Sequence, residues 1–378
     1  MPHLTRPVTL FLLFLVVSLN AEPLASETWG FLLDLPEGYQ YTAGDGKNRF
    51  SFYSDDNTVF DLVVYDGTYP SVEALAADVC QRLGNQGETD PFIYRRKNAV
   101  LMELRFMSAN AWNKGWGLCV ELDGEGKAQK PLLLALAYGP ADQDDLPILH
   151  LSALDSLSPT LSDAHAPGPI TEYAYPRGDL LETPVAGLNV RALVHENDAE
   201  AAQALVDREF EVLRRYLTSP LGKDAQLRFY RMIYRDSFER LANIVFTLER
   251  AWNISAQEPR SLAGKALEWT QAFTYERDFM GSDFVNLVSA ALEGRGDCDS
   301  RALLWAIVLE QANIPAAIMI SPYYSHAMGL ADLAGEGARF ELAPGKNWLV
   351  AETTSHTSIG VIDKSVSDKR HWWGVPLH

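Results

Sequence analysis

One run constrains this chain more than any other: Cys298-Asp299-Ser300-Arg301-Ala302-Leu303-Leu304-Trp305-Ala306-Ile307-Val308-Leu309. It has helix-forming composition and is apolar on nearly every side of a helical wheel. A helix without a polar face is buried all round, so the rest of the chain must supply layers that enclose it. Gly294, Arg295, Gly296 and Asp297 form a tight turn before it, and Asn313, Ile314 and Pro315 end it. Cys298 therefore falls in the first turn of a buried helix. There the free backbone N–H groups and the positive end of the helix dipole favour a thiolate, so the thiol pKa is expected to be lowered. The same N–H groups could receive the negative oxygen of an acyl-transfer intermediate. The competing reading is an inert buried thiol, the commoner fate of a lone cysteine.

A nucleophile of this kind needs a base, and the base an orienting group. Ala316–Ile320 reads as a strand, and His326 opens a second that runs to Asp332. Trp348–Thr354 reads as another, with Glu352 inside an otherwise apolar run; a buried Glu is rare unless paired. If those two strands pair antiparallel with His326 opposite Glu352, the turn is centred at 339, inside the glycine-bearing stretch Leu333–Gly345. Opposed side chains share a face with Cβ atoms ~5 Å apart, so Glu352 could orient His326 while His326 faces Cys298.

The block Arg295-Gly296-Asp297-Cys298, then Ala302 and Leu304, Asn313-Ile314-Pro315-Ala316, Ser325-His326, and Trp348 with Glu352-Thr353-Thr354 resembles the transglutaminase-like superfamily. The resemblance covers about Phe238–Ile362. It implies a papain-like core with Cys298, His326 and Glu352 as the catalytic set. The implied chemistry is thiol-dependent acyl transfer on a peptide, protein or wall-peptide amide, as a peptidase or amidase or as a cross-linking transferase. No cofactor or metal is implied. The sequence departs from the pattern in two ways: the acid is usually Asp, and the 28 residues from Cys298 to His326 are a short span. Asp332 and His356 are the alternative acid and base. A non-catalytic binding module on the same scaffold is the alternative function.

Around this block the chain reads as α+β. Residues 28–158 form a sheet-plus-helix module, with strands at Asn48–Tyr53, Val59–Tyr65, Val100–Met107, Gly115–Leu122 and Leu132–Tyr138. Its helices begin after Ser71 and at Leu146, and the pattern suggests that they lie on one face of the sheet. Residues 159–180, rich in Pro, Gly and Ala, read as a linker. Residues 181–378 are then the transglutaminase-like domain, with a lead-in of helices over Asp198–Leu217, Asp224–Trp252, Leu262–Tyr275 and Ser282–Glu293.

Arg6 followed by the apolar run Val8–Leu19 is too short to span a bilayer, which takes ~20 residues. It reads as a signal peptide, residues 1–21, cut after Ala21. The expected product is exported, periplasmic or extracellular, with no stable membrane insertion after cleavage. A net charge of −18 argues against nucleic-acid binding; the partner that the resemblance implies is a peptide or protein substrate. Asp142, Asp144 and Asp145 lack the spacing of a calcium loop, and His326, His356, His371 and His378 lack that of a zinc site. Cys80 and Cys119 could bridge in an oxidising compartment, although alternation points Cys119 away from the helix that carries Cys80. Arg177-Gly178-Asp179 in the linker offers an exposed adhesion motif as a further alternative.

Overall fold

The computed structural model describes residues 23–124, 126, 129–167, 177–254, 258–277 and 282–377. The expected signal peptide, 1–21, and residues 168–176 of the expected linker lie outside the described residues. The fold class is α+β.

Seven antiparallel strands build the first sheet: β1 (Gln40–Gly44), β2 (Arg49–Tyr53), β3 (Val59–Tyr65), β4 (Thr89–Tyr94), β5 (Lys97–Ser108), β6 (Ala111–Glu121) and β7 (Leu132–Pro140). Their spatial order is β1-β2-β3-β7-β6-β5-β4. The helices lie on both faces of this sheet, not on one. Helix α1 (Val72–Leu83) is N-capped by Ser71, whose Oγ accepts from the Ala74 amide at 3.3 Å. Its Val72, Leu75 and Val79 pack on Val100, Met102 and Leu104. Helix α2 (Leu146–Asp155) covers the other face, over Leu118, Val120 and Ala135. The reason is in the strands themselves, since Leu132–Ala137 is apolar at successive positions and so cannot leave one face to water. Cys119 accordingly turns toward α1, into the same layer as Cys80, and both thiols are free.

The hairpin β8 (Leu180–Pro184) and β9 (Arg191–His195) leads into helices α3 (Asp198–Tyr216), α4 (Gly222–Arg240), α5 (Ala242–Trp252), α6 (Pro259–Gln271) and α7 (Leu287–Glu293). The helix expected over Asp224–Trp252 breaks at Leu241. There Gln311 Nε2 takes the Phe238 carbonyl at 2.5 Å, which an unbroken helix would give to Ala242.

The module and the helices share one hydrophobic core that runs from Phe31 to Leu377. They also share a ladder of buried ion pairs. Arg228, Arg231 and Arg235 stand on one face of α4. Arg231 and Arg235 each reach the Asp34 carboxylate at 2.9 Å, while Arg228 pairs with Glu209 at 2.7 Å. Arg208 of α3 joins Glu209 to Asp155 of α2, at 2.7 Å each. Burial pushes the Asp34 carboxyl up, but Arg235 and Arg231 outweigh it and hold the pKa at about 2. The expected linker is packed where it is described: Ala164 and Ala166 are buried and their carbonyls accept from Arg95. Leu180 already belongs to β8.

Helix α8 (Cys298–Gln311) lies on a second sheet made of β10 (Ala316–Ser321), β11 (His326–Ala331), β12 (Arg339–Ala343), β13 (Lys346–Ala351) and β14 (Trp373–Val375), in the order β12-β13-β11-β10-β14. The helix approaches β11 so closely that a Cβ on Gly329 would stand 2.3 Å from a Trp305 ring carbon. Only glycine fits there, which accounts for its presence inside a strand.

Candidate functional site

Asp297 sets the start of α8. Its carboxylate accepts from the Ser300 amide at 2.8 Å and from the Ser300 hydroxyl at 2.6 Å, an N-cap that fixes Cys298 as the first helical residue. Gly296 makes room for this cap, since a Cβ there would meet Ser300 Oγ at 2.5 Å. Arg301, buried one turn later, ties the turn down by donating to the carbonyls of Gly296 at 3.0 Å and Phe273 at 2.8 Å. Its guanidinium also lies over the exposed Tyr275 ring, 5.5 Å from the centroid.

His326 and Glu352 meet. His326 Nε2 stands 2.8 Å from Glu352 Oε2, while the Thr354 amide and hydroxyl donate to Oε1 at 2.7 and 2.6 Å. Gln271 holds the Glu352 carbonyl at 2.8 Å. Burial raises the Glu352 carboxyl, but the His326 and Thr354 interactions outweigh it and keep the acid ionised below the usual carboxylate range. The register that achieves this differs from the expected one. Gly329 pairs with Ala351 and Ala331 with Leu349, so the strand direction carries His326 toward the level of Thr354, and Glu352 reaches it diagonally. The cause is β12, which occupies the stretch read as a turn and forms a hairpin with β13 on its outer side. The extra methylene of Glu over Asp suits a diagonal reach. Asp332 and His356 are both exposed and take no part in this pair.

Cys298 is brought to the same end of the sheet, where the backbone amides of Ala327 and Cys298 itself favour the charged form of the sulfur. Among the described residues no hydrogen bond links the thiol to His326. Ala327, Gly329 and Ala331 lie on the α8 side of the sheet, whereas Met328, Leu330 and Trp372 form the layer on the far side. His326 stands at the strand's first position, with its ring 6.1 Å from that of Trp372. The expectation of a lowered thiol pKa is overturned. Cys298 is 6% exposed; burial pushes the thiol well up, and the neighbouring Asp299 and Asp297 carboxylates add to the shift, outweighing the amides.

Asp299 is the residue that the sequence reading missed. Burial and the Asp297 charge raise its carboxyl to about 7, with the Tyr230 hydroxyl and His326 pulling the other way. Its signal was plain in retrospect, as a second acid in the first turn of a helix with no polar face. A further aromatic group stands beyond Trp372: Tyr324 lies 5.8 Å from the Trp372 ring, and Tyr323, 70% exposed, stacks on His371 with centroids 4.0 Å apart, with Tyr324 beside both.

The Arg177-Gly178-Asp179 motif is not freely displayed, because Arg177 pairs with buried Asp198 at 2.8 Å and with Glu239 at 3.4 Å. Among the described residues no group of His, Cys, Asp and Glu is arranged to hold a metal ion, and no helix is long and apolar enough to cross a membrane.

No protein-family profile and no curated protein matches the chain. Among solved structures it is similar to a protein of Bacteroides thetaiotaomicron, at 11% identity and a TM-score of 0.26 over 59% of this chain and 79% of that one. It is also similar to LpqN, a protein involved in cell envelope biogenesis of Mycobacterium tuberculosis, at 13% identity and a TM-score of 0.24 over 36% of this chain and 83% of that one. Likeness at this level carries no functional argument.

Proposed function

We propose that the protein is an exported enzyme of transglutaminase-like type that performs thiol-dependent acyl transfer on a peptide, protein or wall-peptide amide. The reading rests on one observation: the His326–Glu352 pair, 2.8 Å apart, at the end of the sheet where α8 presents Cys298. In the proposed reaction the Cys298 sulfur attacks the amide carbonyl as its proton passes to His326. The C–N bond breaks, the amine leaves with that proton, and water or a second amine resolves the thioester. Glu352 holds the imidazole by one ring nitrogen and leaves Nδ1 for this proton transfer. The exposed Tyr275 and Tyr323 offer aromatic surface to a peptide chain.

One observation favours a second reading. The raised thiol and its two acidic neighbours suit a scaffold that binds a peptide without cleaving it. Iodoacetamide labelling at pH 6, read by peptide mass, separates the two. On the catalytic reading Cys298 is labelled far faster than Cys80 or buried Cys119, and the purified chain cleaves members of a peptide and isopeptide library. Equal sluggishness of all three thiols, with no cleavage, would leave the binding reading.

A further inference from the structure

A cavity of about 950 Å³ lies between the first sheet, α2 and α3, and no residue of α8 or of the second sheet lines it. Its floor is apolar: Leu101, Trp116, Ile148 and Leu151. Its walls are acidic, with Glu88, Asp90 and Glu103 from the sheet and Asp207 and Glu211 from α3. The cations that line it are already engaged, Lys114 with Asp144 at 2.8 Å and Arg208 with Asp155 and Glu209 at 2.7 Å each. On the α3 side Glu211 is matched by Arg214 at 2.7 Å, and Asp207 accepts from Gln203 at 3.0 Å.

The sheet side is different. The Glu103 amide donates to the Glu88 carbonyl at 2.9 Å, which extends the ladder that pairs Thr89 with Met102 and Asp90 with Leu101. Glu88 and Glu103 are thus opposed on neighbouring strands, and Asp90 is the diagonal neighbour of Glu103. Like charges directly opposite one another destabilise a sheet. Among the described residues, none of these three carboxylates has a cation within ion-pair distance. Glu103 is in turn registered with Trp116 on β6, so a carboxylate wall and an aromatic floor meet at one place.

We propose that this cavity is a binding site for an amphiphilic cation: an amine or guanidinium head set among Glu88, Asp90 and Glu103, with an apolar body on Trp116, Ile148 and Leu151. The volume suits a small organic ligand, for which sites run ~300–1,000 Å³. The cation neutralises the exposed carboxylates that face one another at the start of β4 and on β5, while the apolar body covers Ile148, which is 37% exposed. The site is separate from the Cys298 region and does not depend on the function proposed for it.

The test is titration calorimetry of the full chain with octylammonium, octanoate and spermine. Octylammonium binds saturably at millimolar concentration or below, more weakly as salt rises; octanoate does not bind; spermine, which lacks the apolar body, binds more weakly than octylammonium. The double variant E88Q/E103Q weakens octylammonium binding about tenfold or more. It melts no lower than the parent, because it relieves a repulsion, and this separates loss of the site from loss of the fold. Octanoate binding as well as octylammonium, spermine binding as well as octylammonium, unchanged octylammonium binding in E88Q/E103Q, or no saturable octylammonium binding at all would each overturn the proposal.

Discussion

Two of the groups of buried charge in this molecule are built on opposite principles. Where the module meets α3 and α4, Asp34 is answered by Arg231 and Arg235, Glu209 by Arg228 and Arg208, and Asp155 by Arg208; the exception is Glu37, whose buried Oε2 has no hydrogen-bond partner and whose carboxyl burial raises to about 7. At the start of α8 the carboxylates of Asp297 and Asp299 crowd a thiol that neither can neutralise, and Asp299 responds by holding its proton up to about 7. Matched charge fixes an interface, because removal of either partner strands the other. Unmatched charge leaves groups whose protonation shifts with small changes around them, which is a property of chemical sites.

The contrast can be broken most severely at the proposed catalytic pair. Glu352→Gln keeps the shape of the side chain but no longer stabilises a charged imidazole, so turnover of a library-selected peptide amide should fall ~10⁴-fold with little change in melting temperature. Turnover within a few-fold of the parent would remove Glu352 from the mechanism. Next in size is Glu209→Ala. It leaves buried Arg228 without its carboxylate and Arg208 with Asp155 alone, and urea denaturation should show a loss of ~3–5 kcal/mol; a loss below ~1 kcal/mol would mean that the ladder is not the fastening described.

Asp299→Asn sharpens the comparison through pH. The folded-state pKa of about 7 lies above the usual carboxylate value of ~3.9. The folded protein therefore holds a proton that the unfolded chain has released, and the contribution of Asp299 to stability falls as pH rises from ~4 to about 7. The variant should be more stable than the parent at pH 8 and nearly equal to it at pH 4. Its Cys298 should be alkylated several-fold faster at pH 8, with the difference vanishing at low pH. A pH-independent difference in both readouts would assign Asp299 a packing role alone. The smallest effect is expected at an exposed ion pair: Arg214→Ala, which frees Glu211 on the surface of α3, should cost under ~1 kcal/mol.

What was legible in the sequence follows from how local the cause is. The start of α8 at Cys298 could be read because Gly296, Asp297 and the apolar run carry it within a few residues. Helix α1 could be read because Ser71 and the spacing of Val72, Leu75 and Val79 do the same. The meeting of Glu352 with His326 was readable as an acid in an apolar strand near a histidine, but its register was not, because β12 is placed by pairing beyond the local turn signals. Strand β4 was hidden by Pro91 and by a turn of Arg95 and Arg96, both at positive φ, where Asn and Gly are usual. Arg95 tolerates that turn because its guanidinium is anchored to the carbonyls of Asp155 and Ala166, partners far away in sequence. The raised thiol was hidden for a similar reason. The dipole of a helix is visible in its own residues, but the water excluded from its end is determined by everything packed around it.

The arginine ladder on α4 has a consequence for handling the protein. Severing the chain near residue 159 would divide Asp34 and Asp155 from Arg231, Arg235 and Arg208, leaving on each fragment a greasy surface studded with like charges. Neither fragment is a sound recombinant product by itself. Co-expression of the two from one plasmid is the route by which they would be recovered, as a complex that purifies together.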